Sequence, residues 1–424
     1  MTDESGTAVV TAAPPPRLLT LRGAWFLICA FFAMANFYLL LSVLPLDASS
    51  AGTAAAGLVT GVSMAGCVAT EILIAARVAR LGHVPSMALG AAFLALGAAV
   101  LALPDAVRAT PPALLALPGV LPFGRQAIPF LLADRGLPLL LAASLVRGVG
   151  LGIWVVAGTG IAADIAPAGR RGEALGIYGI AVTLPGAVGL PAGIWFAHRF
   201  GFESVFLLAL AFGIVSVALA FWIPRRRSAV AHAPAAFGVL RHARARRPAM
   251  VFLTTTVAAG IYASFLPVAM SGTPAQLIAV ALLAQTAAAA IVRWAAGRAG
   301  DRLGPRRLLV PAVMIGVAGG LLAIEIGQPV FVVAGMLLFG VGFGALQNLT
   351  LALMYEGVPE RQFGGVSAVW NTAYDSGMGA GAVAFGYVSQ AIGFPVGLAA
   401  TAAVLGLGLL PAVRDSADRA SLSP

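Results

Sequence analysis

The chain has 424 residues, 60% of them apolar and only 10% charged, with a mean hydropathy of +0.96. A water-soluble domain needs roughly 25% charged residues to cover its surface, so these proportions exclude a soluble globule and point to a membrane protein. The net charge of +10 is carried by 26 arginines with no lysine, and beside so much Ala, Gly and Pro it reads as the mark of a GC-rich genome rather than of mechanism. A basic balance can signal nucleic acid. Here the arginines fall in short stretches between apolar runs, so the lipid bilayer is the expected partner and nucleic acid is not.

Crossing about 30 Å of hydrocarbon takes about 20 apolar residues, and such runs recur along the whole chain. They predict twelve helices. In the first half these cover 24–46, 52–76, 85–104, 138–163, 174–197 and 204–223; in the second, 249–270, 274–296, 308–326, 329–354, 364–389 and 393–412. The first run follows Arg17 and Arg22 and is too long for a signal-peptide core of roughly 7–15 residues, so it is expected to be an uncleaved span. Cys29 and Cys67 both fall within spans and are expected to pack as small apolar residues, with no disulfide, redox or metal role. With a cytoplasmic N-terminus, 20 of the 26 arginines lie on the inner side. Arg108, Arg125, Arg135 and Arg199 lie outside, and Arg147 and Arg293 within spans. Positive charge in short loops marks the cytoplasmic face, so both termini are expected on the inner side of the cell (inner) membrane.

The chain says the same thing twice. "VLP" at 43–45 matches "FLP" at 265–267, and "RLG" at 80–82 matches "RLG" at 302–304, both 222 residues apart. Farther on the spacing is 192: "GVGLG" at 148–152 matches "GVGFG" at 340–344, Asp164 falls on Glu356, Pro167 on Pro359, and "GF" at 201–202 on "GF" at 393–394. The reading is an N-terminal six-helix half at 1–224, a basic cytoplasmic linker at 225–247 and a C-terminal six-helix half at 248–424. The drop of 30 in spacing locates an insertion between helices 3 and 4, at about 105–137, outside and rich in Pro. Its apolar content suggests a segment lying on the membrane surface or capping the outer mouth; a disordered loop is the alternative. The linker, with "RRR" at 225–227 and "RHARARR" at 241–247, reads as a solvated segment that fixes topology, with lipid-headgroup contact as the alternative.

Two repeated helical halves with a basic linker describe a secondary transporter whose substrate site lies between them near the midplane. The stretch "GRAGDRLGPRR" at 297–307, after helix 8, carries Gly297, Gly300, Asp301, Arg302, Gly304, Arg306 and Arg307. It resembles the loop signature G-x-x-x-D-R-x-G-R-R of the major facilitator superfamily, and the resemblance in topology covers nearly the whole chain. It implies an all-α membrane protein with twelve transmembrane helices in two pseudo-symmetric halves. In such a motif glycine permits a tight turn, and the carboxylate accepts hydrogen bonds at the start of a neighbouring helix, where the dipole favours negative charge. The resemblance implies that Asp301 meets the start of helix 5 near Gly172 and that Arg302 pairs with Glu356, together latching the cytoplasmic side. A charged turn that only fixes topology is the alternative. The first-half copy, "ARVARLGHVPS", keeps Arg80 and Gly82 but has Ala79 where the aspartate belongs. Arg80 can still reach Asp164, so the latch is expected to be one-sided.

Helix 5 reads "GIAVTLPGAVGLPAG". Its Gly186, Gly189, Pro191 and Gly193 resemble the glycine–proline signature of the superfamily's drug:proton antiporters, with the usual G-P pair split by Leu190; close helix packing alone is the alternative. Ionisable groups at membrane depth are costly and mark function by default. Asp375 lies mid-span in helix 11, with Ser367, Asn371 and Met378 on its face, and is the first choice for a group that binds and releases a proton. Glu71 is the second. Arg147, mid-span in helix 4 and sharing a face with Trp154, is expected to bind an anionic substrate group or to modulate a carboxylate across the cavity. Arg293, the repeat equivalent of Glu71, reads as a structural ion pair or a snorkelling side chain. Asn36, Tyr38, Tyr262, Gln347, Asn348 and Asn371 complete the expected cavity. The sequence holds no nucleotide-binding loop, metal-ligand cluster or nucleophile–base constellation, so neither a cofactor nor an enzymatic activity is expected.

The expectation is a monomeric, proton-coupled exporter of a small organic or amphipathic compound, working by alternating access. The alternatives are proton symport or facilitated uptake of a metabolite, and a scaffold or sensor that does not transport. Asp375 and Arg147 at membrane depth count against the last.

Overall fold

Glycine marks the helix junctions, and it does so symmetrically. In the computed structural model, which describes residues 21–109, 136–165, 171–223 and 236–420, positive φ is confined among the described residues to glycine. Gly82 (φ 91°) and Gly304 (φ 85°) lie 222 residues apart, and Gly201 (φ 85°) and Gly393 (φ 86°) lie 192 apart. These are the two spacings of the sequence repeat, so the repeat is a repeat of backbone conformation as well as of letters. Each of the four ends one helix and begins the next.

The first half holds α1 (Leu21–Ala48), α2 (Thr53–Leu81), α3 (His83–Ala109), α4 (Leu137–Ile165), α5 (Arg171–Phe200) and α6 (Phe202–Ala220). The second holds α7 (Ala243–Ala269), α8 (Ala275–Leu303), α9 (Pro305–Leu322), α10 (Pro329–Glu356), α11 (Phe363–Ile392) and α12 (Phe394–Leu407). The twelve predicted helices are all present, most of them longer by about a turn, and among the described residues ten helical stretches are long and apolar enough to cross a membrane. Two differences stand out. α7 begins at Ala243, so "ARARR" is helical rather than linker. The last predicted span ends at Gly408, and a separate amphipathic helix, α13 (Leu409–Ala420), follows. The insertion at 110–135 and the linker at 224–235 lie outside the described residues, as do the side chains of Asp164 and of residues 171–177.

The charged stretch at 297–307 is also not a loop. α8 runs through Asp301 and Arg302 to Leu303, Gly304 turns the chain with its N–H on the Gly300 carbonyl at 2.8 Å, and Pro305 starts α9. Only glycine takes φ 85° without a Cβ clash, and proline suits the first helical position because its missing N–H has no intrahelical partner there.

Within the first half α4 packs on α2 and α3, and α1 on α5 and α6; within the second, α10 packs on α8 and α9, and α7 on α11. The halves meet through α2 with α11 and α5 with α8. These pairs are each other's repeat equivalents, so the interface is pseudo-two-fold. The α2–α11 contact is close because Gly57 faces the Ala382 carbonyl, where a Cβ would overlap backbone. Small residues of this kind let membrane helices approach and gain dispersion contacts that lipid alone does not offer. On the face opposite the Gly82 and Gly304 turns, the halves are joined by hydrogen bonds: Ala54 N–H to Gln390 Oε1 at 2.9 Å, and Thr60 with Ser264, hydroxyl to hydroxyl, at 2.9 Å.

A buried site between the halves

Cys67 and Glu71 stand one helical turn apart on α2, on the side that meets α11. Asp375 on α11 faces them. The thiol of Cys67 donates to Asp375 Oδ2 at 3.3 Å, and ligand-type atoms of Cys67, Glu71 and Asp375 all lie within 4.8 Å of one another. Asp375 is only 7% exposed, and Glu71 Oε1 is buried without a hydrogen-bond partner. Both sequence-predicted carboxylates are therefore in one place, contributed by different halves. Two full negative charges at this separation repel by about 3 kcal/mol at an effective dielectric of about 20, and one proton held between them removes that repulsion. The same three residues are the described group with the composition to hold a metal ion.

Beside this pair lies a group the sequence did not assign to the site. Arg293 of α8 donates from Nη1 to Gln347 Oε1 of α10 at 2.9 Å, and its guanidinium carbon lies 5.9 Å from the Trp370 ring centroid on α11. Tyr374, next to Asp375 in the chain, meets Tyr38 of α1 across the interface, and Arg293 is close enough to act on both phenols. Among the described residues Arg293 makes no ion pair, and it turns towards Gln347, Trp370 and the two phenols. Its equivalence to Glu71 in the repeat was the available signal: one half of the pseudo-symmetric pair carries the acid and the other the base. Cys67, Trp370 and Tyr374 were also missed, because each reads as an ordinary packing residue until α2, α8 and α11 are brought together.

Other expected cavity residues divide. Gln347 and Tyr38 belong to the site, and Asn371 is half-buried on the same helix as Asp375. Asn348 instead packs over Gly297 of α8. Asn36 is spent on the N-terminal half, its amide donating to the carbonyl of Ala209 at 2.6 Å. Trp154 stacks on Tyr178 with centroids 6.4 Å apart, inside the same half. Tyr262 packs edge-on to Phe339 at 4.8 Å in the core of the C-terminal half. Arg147 is 2% exposed, donates from Nη2 to the Phe37 carbonyl at 3.0 Å and lies over the Phe37 ring. It turns towards α1 and α3 rather than towards Asp375, because Gly97 leaves a space that its side chain fills.

The helix-5 signature lies on the α1 side of α5. Gly186 and Gly189 face Tyr38, and Gly193 faces the Leu39 carbonyl, while Pro185 and Pro191 sit within the helix. Asp301, Arg302, Arg307, Arg80 and Glu356 are exposed, and among the described residues Arg302 and Glu356 make no ion pair. Arg306 instead pairs with Asp415 of α13 at 3.5 Å. The expected partners of Asp301 and Arg80, the start of α5 and Asp164, fall where side chains are not described.

Two pseudo-symmetric six-helix halves, joined at one face with ionisable groups between them, have the architecture of secondary transporters. The sequence profile of the Major Facilitator Superfamily matches residues 26–382 and 271–420, and the chain belongs to that family. It is similar to the uncharacterised MFS-type transporter YtbD of Bacillus subtilis (strain 168), 32% identical over 78 residues, which is 18% of this chain and 20% of that one. It is also similar to the riboflavin transporter RibZ of Clostridioides difficile (strain 630), 31% identical over 86 residues, 20% of this chain and 19% of that one. The chain thus aligns with about a fifth of each relative's length. Among solved structures, the nucleoside transporter NupG superposes with a TM-score of 0.66 at 13% identity, covering 94% of this chain and 99% of that one. That likeness is one of fold.

Proposed function

We propose that the protein is a proton-coupled exporter of a small organic or amphipathic compound, with Glu71 and Asp375 as its proton site. The observation that carries this reading is the meeting of two carboxylates from opposite halves in a buried interface. A proton shared there stabilises α2 against α11, and its loss restores the repulsion and favours separation of the two helices. Proton binding and the relative position of the halves are then one equilibrium, which is what coupling requires. The glycine–proline run of α5 supports export, and in this reading both termini lie on the cytoplasmic side of the cell membrane.

A second reading, proton symport, is favoured by Arg293. An anion drawn to that guanidinium stands near the carboxylate pair and favours its protonated form, so substrate and proton bind together. One experiment covers both readings. Cells with and without the protein are screened for resistance to toxic compounds, and the compound found is followed in inverted vesicles. Gradient-driven movement that Asp375→Asn and Glu71→Gln both abolish supports the proton site, and its direction separates export from uptake. Gradient-driven movement that survives both substitutions refutes it.

A further inference from the structure

Arg293 has more hydrogen-bond donors than the described residues take up. A guanidinium presents five N–H groups, and here the acceptor is Gln347 Oε1 at 2.9 Å. Among the described residues no carboxylate lies within ion-pair distance of it. The side chain is half-buried, and the groups it contacts lie on α10 and α11. On the α5 side it faces Gly179, where a Cβ would stand 3.7 Å from Nη2. A partly buried cation with no carboxylate beside it among the described residues carries a desolvation cost that is not fully compensated. An anionic ligand offsets it.

The walls narrow the ligand further. Trp370 stacks on Phe252 with centroids 4.3 Å apart and planes at 14°, and Tyr374 lies 6.0 Å from each of them. Arg293 stands over the Trp370 ring at the edge of this stack. A flat ring extends such a stack by offset or edge-on contact, while an acidic substituent in its plane reaches the guanidinium fork. Arg147, the other intramembrane arginine, offers nothing comparable, because Phe37 and the surface of α3 at Gly97 enclose it.

We propose that Arg293 and Gln347, with the Trp370–Tyr374 aromatic wall, form the substrate subsite, and that the substrate is a planar aromatic anion such as an aromatic carboxylate. This deepens the transport reading by naming its substrate class, and it rests on that reading for its role in the cell.

The test is calorimetric titration of the detergent-purified full chain with 1-naphthoate. Neutral 1-naphthamide has the same shape without the charge, and cyclohexanecarboxylate has the charge without the aromatic ring. Loss of a charge-assisted hydrogen bond costs about tenfold or more in affinity. Naphthoate is therefore expected to bind about tenfold tighter than either control. Arg293→Gln removes that preference with naphthamide unaffected, Arg293→Lys keeps part of it, and Trp370→Leu weakens naphthoate while leaving cyclohexanecarboxylate unchanged. Equal binding of naphthoate and naphthamide to the unmodified protein, absence of naphthoate binding, or unchanged naphthoate affinity in a folded Arg293→Gln variant overturns the proposal. The comparison of the three probes on the unmodified protein decides the question even if Arg293→Gln does not fold. No proton gradient enters the measurement, so its failure leaves proton coupling standing, and failure of the carboxylate variants in vesicles leaves this site standing.

Discussion

Glu71 and Asp375 are 304 residues apart in the chain and belong to different halves, yet their carboxylates and the Cys67 thiol lie within 4.8 Å of one another. In the proposed coupling the two carboxylates act as one proton site. If one proton is shared, Asp375→Asn and Glu71→Gln should each abolish gradient-driven transport in inverted vesicles. The double variant should be no worse than either single one, since residues acting as a unit are not additive. Independent, additive losses would mean two separate sites.

Thr60 and Ser264 hydrogen-bond across the closed face at 2.9 Å. Replacing both by cysteine should place two thiols within disulfide reach and, on oxidation, lock the halves together there. Transport should stop and return on reduction. A disulfide that forms in high yield without affecting transport would show that this face need not open.

Asp301 is exposed, and the Arg302–Glu356 pair is not made in this conformation. A latch formed only in the alternative conformation predicts that Asp301→Asn leaves the thermal stability of the purified protein nearly unchanged, within about 0.5 kcal/mol. The same change should slow transport and raise cysteine labelling at the arginine-rich face. Unchanged labelling with unchanged transport reduces the motif to a topology signal.

Arg306 and Asp415 tie α9 to the amphipathic α13, and Asp415 is nearly inaccessible. Arg306→Ala removes an ion-pair partner of the buried Asp415 and should lower stability by about 1–3 kcal/mol. Asp415→Asn, which removes the charge as well, should cost less. Thermal unfolding in detergent measures both. Equal losses would show that the ion pair contributes through packing alone.

The architecture was readable because its signals are local or periodic. Apolar runs locate the spans, and the two repeat spacings recover the pairing of Gly82 with Gly304 and of Gly201 with Gly393. The site was readable in part. Asp375 and Glu71 stand out because charge is rare at membrane depth, but that they meet depends on how α2 and α11 pack, and no spacing within one helix encodes it. Arg147 stood out for the same reason as Asp375, and the structure turns it into the N-terminal half because Gly97 leaves room there. Arg293 was placed at the margin by its nearness to the end of α8. The orientation of α8 against α5, through contacts such as Thr286 Oγ1 to the Ala187 carbonyl at 3.3 Å, carries it inward. Asn36 and Tyr262 show the opposite error, since a polar group on a membrane helix is as often used to bind a neighbouring helix as to line a cavity.

The account turns on whether Glu71 and Asp375 hold a proton jointly. Infrared difference spectroscopy of the purified protein across a pH titration reads this directly, because a protonated carboxyl group has a carbonyl band that an ionised one lacks. The account predicts one such buried-carboxyl band, lost in Asp375→Asn and equally in Glu71→Gln, and shifted in Cys67→Ala through loss of the thiol hydrogen bond. A band that persists unchanged in both carboxylate variants, or two bands each removed by one variant only, would contradict it.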